Sequence, residues 1–144
     1  MTSSARIFDK RTGLLFVVAF GVVSLFADMA YEGMRAISGP FLATLGASGA
    51  AVGAIAGGGE MAGYLLRLVS GRAADRTRLY WPITLAGYIM QMAAVPLLAL
   101  AGNWWMAAVL IVAERAGKAV RNPPRDVMLS RAGEEIGQGW AFGL

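Results

Sequence analysis

Charged residues divide this chain into long apolar runs. No Asp, Glu, Lys or Arg falls between Thr12 and Ala27, between Ala36 and Gly59, or between Leu79 and Ala113. The last run, as a single helix, would be about 52 Å long against a hydrocarbon core of about 30 Å, so it must fold back on itself. Ala101-Gly102-Asn103 is the turn signal inside it, and Trp104 and Trp105 suit a lipid–water interface. The pattern predicts an all-α, polytopic membrane helix bundle with helices at about 13–35, 50–70, 80–100 and 104–122. Pro123-Pro124 is expected to stop the fourth helix, because proline removes a backbone donor and disfavours helical geometry in the residue before it. A tail over 1–12, a loop over 123–139 and the start of a fifth helix over 140–144 complete the map.

The basic residues sort by connection. The tail holds Arg6, Lys10 and Arg11, the first link none, the second Arg72, Arg76 and Arg78, the third none, and the segment after the fourth helix Arg121, Arg125 and Arg131. Positive charge stays on the cytoplasmic side, so the tail, the second link and the final segment are expected inside the cell, in a multi-pass inner (plasma) membrane protein. A cleaved signal peptide fits less well, because Ala27-Asp28-Met29-Ala30 places an acid in the cleavage context.

Three of the four helices also carry ionisable side chains within their spans. Asp28, Tyr31, Glu32 and Arg35 recur at helical spacing in the first, Glu60, Tyr64 and Arg67 in the second, and Glu114, Gly117, Lys118 and Arg121 in the fourth, with Arg115 turned about 100° away. Glu60 and Glu114 lie about 15 Å from the outer helix ends, near the midplane. A central charge costs about 2.5–3.5 kcal/mol even on insertion scales, so these groups should pair across a shared interior or face a water-filled cavity. A carboxylate in a poorly hydrated pocket can exchange protons near neutral pH, which makes Asp28, Glu32, Glu60 and Glu114 candidate coupling acids, with Arg115 and Lys118 as cavity cations. Arg35, Arg67 and Arg121 are expected to snorkel to the headgroups. The third helix, with only Thr84, Tyr88 and Gln91 as notable polar residues, is expected at the lipid-facing periphery.

Gly49, Gly53, Gly57 and Gly63 fall on a small-residue pattern that lets helices approach closely in lipid. Neither Gly57-Gly58-Gly59 nor Gly117-Lys118 has the context of a phosphate loop.

Gly71-Arg-Ala-Ala-Asp75-Arg76 lies between the second and third apolar runs, where Gly71 is expected to end one helix and Asp75 to cap the next. Here the chain resembles the Major Facilitator Superfamily of secondary transporters, whose signature in this loop is a Gly, an Asp four residues on and then a basic residue. Glu114-Arg115-Ala-Gly117-Lys118 is similar to the family's fourth-helix motif, although Gly117 follows Arg115 sooner than usual. The resemblance implies an N-terminal fragment: helices 1–4 and the start of helix 5 of a six-helix half, with helices 1 and 4 lining a cavity. It also implies a gating role for Gly71, Asp75 and Arg76, partly against the missing C-terminal portion of the same transporter.

Composition adds exclusions. The chain of 144 residues is 57% hydrophobic and 15% charged, where a soluble domain carries about 25% charged residues. With no Cys and no His, thiolate or His-based catalysis and Cys/His metal sites are absent, so no enzyme and no cofactor is expected beyond a proton or other ion gradient. The net charge of +4 sits between apolar runs, which points to a lipid bilayer and not to nucleic acid. The expected function is secondary active, proton-coupled transport of a small solute by alternating access. The alternatives are a small four-helix subunit or scaffold, or a stand-alone four-helix dimeric exporter.

Overall fold

The computed structural model describes residues 10–136, all in helices and short turns: α1 (Lys10–Thr44), α2 (Gly49–Thr77), α3 (Tyr80–Leu98) and α4 (Trp104–Ile136). The residues before 10 and the expected fifth-helix start at 140–144 lie outside the described residues. The bundle is inside-out for a water-soluble protein. Phe26, Leu25, Leu68 and Val109 are mostly exposed, whereas Thr84, Gln91 and Arg121 are fully buried. Such a surface suits hydrocarbon, and α1 and α3 are each long and apolar enough to cross it.

Three helix ends differ from the expected bounds, each for a local reason. α1 continues through Pro40 and stops where Gly46 adopts φ +89°. There the Gly46 and Ala47 amides donate to the Ala43 and Leu42 carbonyls, a closing pair of bonds that needs a left-handed residue. α2 does not end at Gly71 but runs to Thr77 and closes on Arg78, whose amide donates to the Ala74 carbonyl at 2.8 Å. Asp75 is therefore a residue of α2 and does not cap α3, whose N-cap Leu79 makes no side-chain capping bond. α4 passes through Pro123 and Pro124 and reaches Ile136, so the segment expected as a loop is helical up to that residue. Ser70 on α2 supports this passage by donating to the Ala119 carbonyl, whose usual donor four residues on is lost because Pro123 has no amide hydrogen.

α4 is the hub, packed on all three other helices, while α1, α2 and α3 touch one another little. Its tightest neighbour is α3. A Cβ on Gly117 would lie 2.7 Å from the backbone of Gly87 and of Gln91, and one on Gly87 would lie 2.7 Å from the Gly117 carbonyl. These two glycines set the close crossing. A Cβ on Gly49, Gly53, Gly57 or Gly63 would meet nothing within 4 Å, so that stripe packs nothing among the described residues. α3 turns Thr84, Gly87, Gln91, Ala94 and Leu98 onto α4 and leaves Trp81, Leu85 and Ile89 outward.

Two apolar clusters bracket the middle of the bundle. Met34, Leu42, Leu98, Ala107 and Ile111 pack where α1 and α3 end and α4 begins. Val17 and Phe20 of α1 pack with Leu129 and Ala132 of α4 at the other end. The antiparallel pairing of α1 and α4 therefore brings their charged middles level with each other.

Candidate functional site

Between the apolar clusters, α1, α2 and α4 present one connected layer of charge. Asp28 of α1 accepts from Arg121 at 2.7 Å and lies 3.2 Å from the Lys118 ammonium. Glu32, a turn further on, lies 4.0 Å from Lys118 and 3.7 Å from Arg35. Arg35 is also 3.9 Å from Glu60 of α2, which is 3.9 Å from Arg115 of α4 and accepts from the Tyr31 hydroxyl at 3.4 Å. The Lys118 ammonium rests 3.5 Å from the centre of the Tyr31 ring, a favourable seat for a partly desolvated cation. Arg115 also donates to the Ala56 carbonyl at 2.6 Å, and Gly59 makes room for its side chain, since a Cβ there would lie 2.9 Å from the guanidinium. Asp28, Glu32, Glu60, Arg115 and Lys118 are thus brought together by charge pairing.

Arg121 is the anchor of this layer, and it does not snorkel. It is fully buried. Its Nε donates to Gln91 Oε1 at 2.6 Å, one terminal nitrogen to the Tyr88 hydroxyl at 3.2 Å and the other to Asp28. The guanidinium also stacks over the Tyr88 ring. Tyr88, while accepting from Arg121, can donate to Ser24 at 2.9 Å, and Gln91 donates back to the Ala27 carbonyl at 2.9 Å. A buried cation is tolerated only when paired and hydrogen-bonded in this way.

Reading the chain by its charges missed Ser24, Tyr88, Gln91 and Arg121 as site members. The signal for α3 was its run of small and polar residues at 84, 87, 91 and 94, a single face of a helix. Arg121 already stood on the Glu114–Lys118 stripe, but an expected helix end at the proline pair moved it to the membrane surface.

Glu114 stands apart from the ion pairs. It is 2% exposed, and its Oε1 has no hydrogen-bond partner among the described residues. Arg67 lies against the Tyr64 ring. Gly71 packs against Pro123 at the α2–α4 contact, while Asp75 and Arg76 are exposed on the last turns of α2.

The partly open pocket beside the charged layer, lined by Tyr31, Glu60, Tyr64, Arg67, Arg115 and Lys118 among others, is about 20 Å³. That holds a water molecule, not a solute. A larger groove of about 260 Å³ runs between α1 and α2, from Arg35 and Ser38 to Ile55 and Arg115. Glu32 and Arg35 are more than half exposed and Asp28 and Glu60 about four-tenths, so the layer is open along one side.

No family model matches this chain, and no solved structure matches it. Over 129 residues, 90% of the chain, it is 53% identical to an uncharacterized protein of Mycobacterium tuberculosis and to one of Mycobacterium bovis, covering 32% of each. It is 27% identical over 129 residues to an uncharacterized MFS-type transporter of Methanocaldococcus jannaschii, covering 89% of the chain and 32% of that protein. The chain spans about a third of the length of the curated relatives it matches. It is an all-helical membrane bundle, similar over most of its length to a transporter-type protein.

Proposed function

We propose that this chain forms part of a secondary active transporter of the Major Facilitator type, which moves a small solute by alternating access and draws on a proton gradient. The carrying observation is the charge layer: three acids and four basic residues paired at mid-bundle depth on α1, α2 and α4, with Glu114 buried beside them, in helices whose outward surfaces are apolar. Intramembrane charge is expensive, and a purely structural bundle would be better served by apolar packing. The pairs are also divided among three helices, so one helix moves against another only by exchanging partners, which suits a fold with two packings. In this reading Asp28, Glu32, Glu60, Glu114, Arg115 and Lys118 serve the transport pathway, and Gly71, Asp75 and Arg76 act at the cytoplasmic gate. All four helices cross an inner membrane with the N-terminus cytoplasmic, and the remaining two-thirds of the relatives' length supplies the other wall of the cavity.

The test is solute-evoked proton movement. The full-length protein is reconstituted in proteoliposomes containing a pH-sensitive dye and challenged with a panel of cationic, anionic, zwitterionic and neutral compounds. One compound class should move protons, and Asp28→Asn should abolish the signal. A silent panel, with the protein shown to be folded and inserted, would favour a scaffold or subunit role instead.

A further inference from the structure

The four intramembrane acids are not equivalent. Asp28 is held by Arg121 and Lys118, Glu32 lies near Arg35 and Lys118, and Glu60 lies near Arg35 and Arg115. Glu114 is the most buried of the four, makes no ion pair within 4 Å and leaves Oε1 without a partner among the described residues. The charged groups acting on it are Lys118, Arg115 and Arg121 of its own helix and Glu32 of α1, with the Tyr31 hydroxyl also in range. α3 contributes no Asp, Glu, Lys or Arg, and α2 contributes Glu60, held by Arg115. Each nearby cation is engaged elsewhere: Arg115 at Ala56 and Glu60, Arg121 at Asp28, Gln91 and Tyr88, and Lys118 at Asp28 and the Tyr31 ring.

A carboxylate in that position would be a buried, unpaired anion, whereas a carboxylic acid there is neutral. We infer that Glu114 is the proton-binding site and that its proton controls the grip of Lys118 on α1. In the packing described here Glu114 is the neutral acid. When the proton leaves, Glu114 becomes a carboxylate one helical turn from Lys118, at the i,i+4 spacing where opposite charges on a helix meet. Lys118 is then drawn from Asp28 and Glu32 toward its own helix, which loosens the α1–α4 link while Arg121 keeps Asp28 tethered. Loss of the proton is thereby converted into a weaker contact between two helices. The inference rests on the transport reading for its purpose, but not for its test.

The test needs no substrate. Infrared spectra of the full-length protein in lipid nanodiscs are recorded across pH, following the C=O stretch of protonated carboxyl groups. The wild type should show at neutral pH a band that Glu114→Gln removes and Asp28→Asn and Glu60→Gln retain. In Glu114→Asp, which keeps a carboxyl, the band should shift in frequency, and this decides the matter even where the Gln variant does not fold. In Lys118→Met the band should persist to higher pH than in the wild type, because the carboxylate has lost the cation that would receive it. A band unchanged in both Glu114 variants would overturn the assignment and leave the transport reading untouched. A band that depends on Glu114 but titrates identically in Lys118→Met would overturn the Lys118 switch. Solute uptake indifferent to a protonophore would instead remove proton coupling from the proposed function, with the Glu114 band still standing.

Discussion

The Ser70 hydroxyl on α2 donates to the Ala119 carbonyl on α4 at 3.3 Å, sharing its one hydrogen with the Arg67 carbonyl of its own helix at 3.4 Å. In an uninterrupted helix the Ala119 carbonyl would accept from the amide of residue 123, and Pro123 has none. Gly71 beside it faces Pro123, where a Cβ would make an ordinary 3.5 Å contact with the Pro123 Cβ. In lipid an unsatisfied carbonyl has no water to turn to, so a neighbouring hydroxyl decides whether a proline-bearing helix is tolerated there. This contact helps α4 stay continuous past Arg121 and hold that guanidinium inside the bundle.

Ser70→Ala should therefore destabilise the α2–α4 pair by about 0.6–1.7 kcal/mol, the range found for interhelical hydrogen bonds in membranes. Ser70→Thr should hold most of that stability. Reversible unfolding in mixed micelles measures both.

The two glycine groups should behave oppositely. Gly117→Ala and Gly87→Ala each place a Cβ 2.7 Å from backbone atoms of the facing helix, and backbone cannot step aside as a flexible side chain can. Each should cost about 1–3 kcal/mol, as overpacking does. Gly53→Ala meets open space and should leave the stability of the chain itself within about 0.5 kcal/mol. Thermal unfolding of the three variants compares them.

Arg121→Met leaves Asp28, Gln91 and Tyr88 without their common donor and should cost about 3–5 kcal/mol, as removal of one partner of a buried ion pair does. Asp28→Asn should cost less, because Asp28 is about four-tenths exposed and Arg121 keeps its bonds to Gln91 and Tyr88. In a double-mutant cycle the combined variant should be less destabilised than the sum of the two, since neither group then remains unpaired.

The chain contains no cysteine, so single cysteines report its topology directly. Ala47→Cys, between α1 and α2, should react with a membrane-impermeant maleimide added to intact cells. Arg78→Cys, between α2 and α3, should react only after permeabilisation. Labelling of Arg78→Cys from outside would reverse the orientation drawn from the basic residues.

The all-helical class and the polar stripes were legible in the chain because both are periodic and local. A helix repeats every 3.6 residues, so Asp28, Glu32 and Arg35 must share a face whatever surrounds them. Helix ends were harder to read. Gly71 and the Pro123-Pro124 pair read as terminators, since a helix standing alone would end there, yet Ser70, Ala74, Ala119 and Pro124 are buried and the helices run through. Glycine costs a helix about 1 kcal/mol and packing can outweigh that. Proline costs more, and here a donor from another helix takes up one of the freed carbonyls.

By itself the sequence determined that apolar segments separated by clustered basic residues form helices for a membrane, and which side chains on each share a face. Partner choice was left to the tertiary structure. Stripe spacing made Arg121 a neighbour of Lys118, but only the antiparallel crossing of α1 and α4, tightened against α3 at Gly87 and Gly117, put its guanidinium on Asp28, Gln91 and Tyr88. Periodicity acts along one helix, whereas a charge is neutralised by whatever another helix brings within a few ångströms. That distance depends on helix crossings, which no single segment encodes.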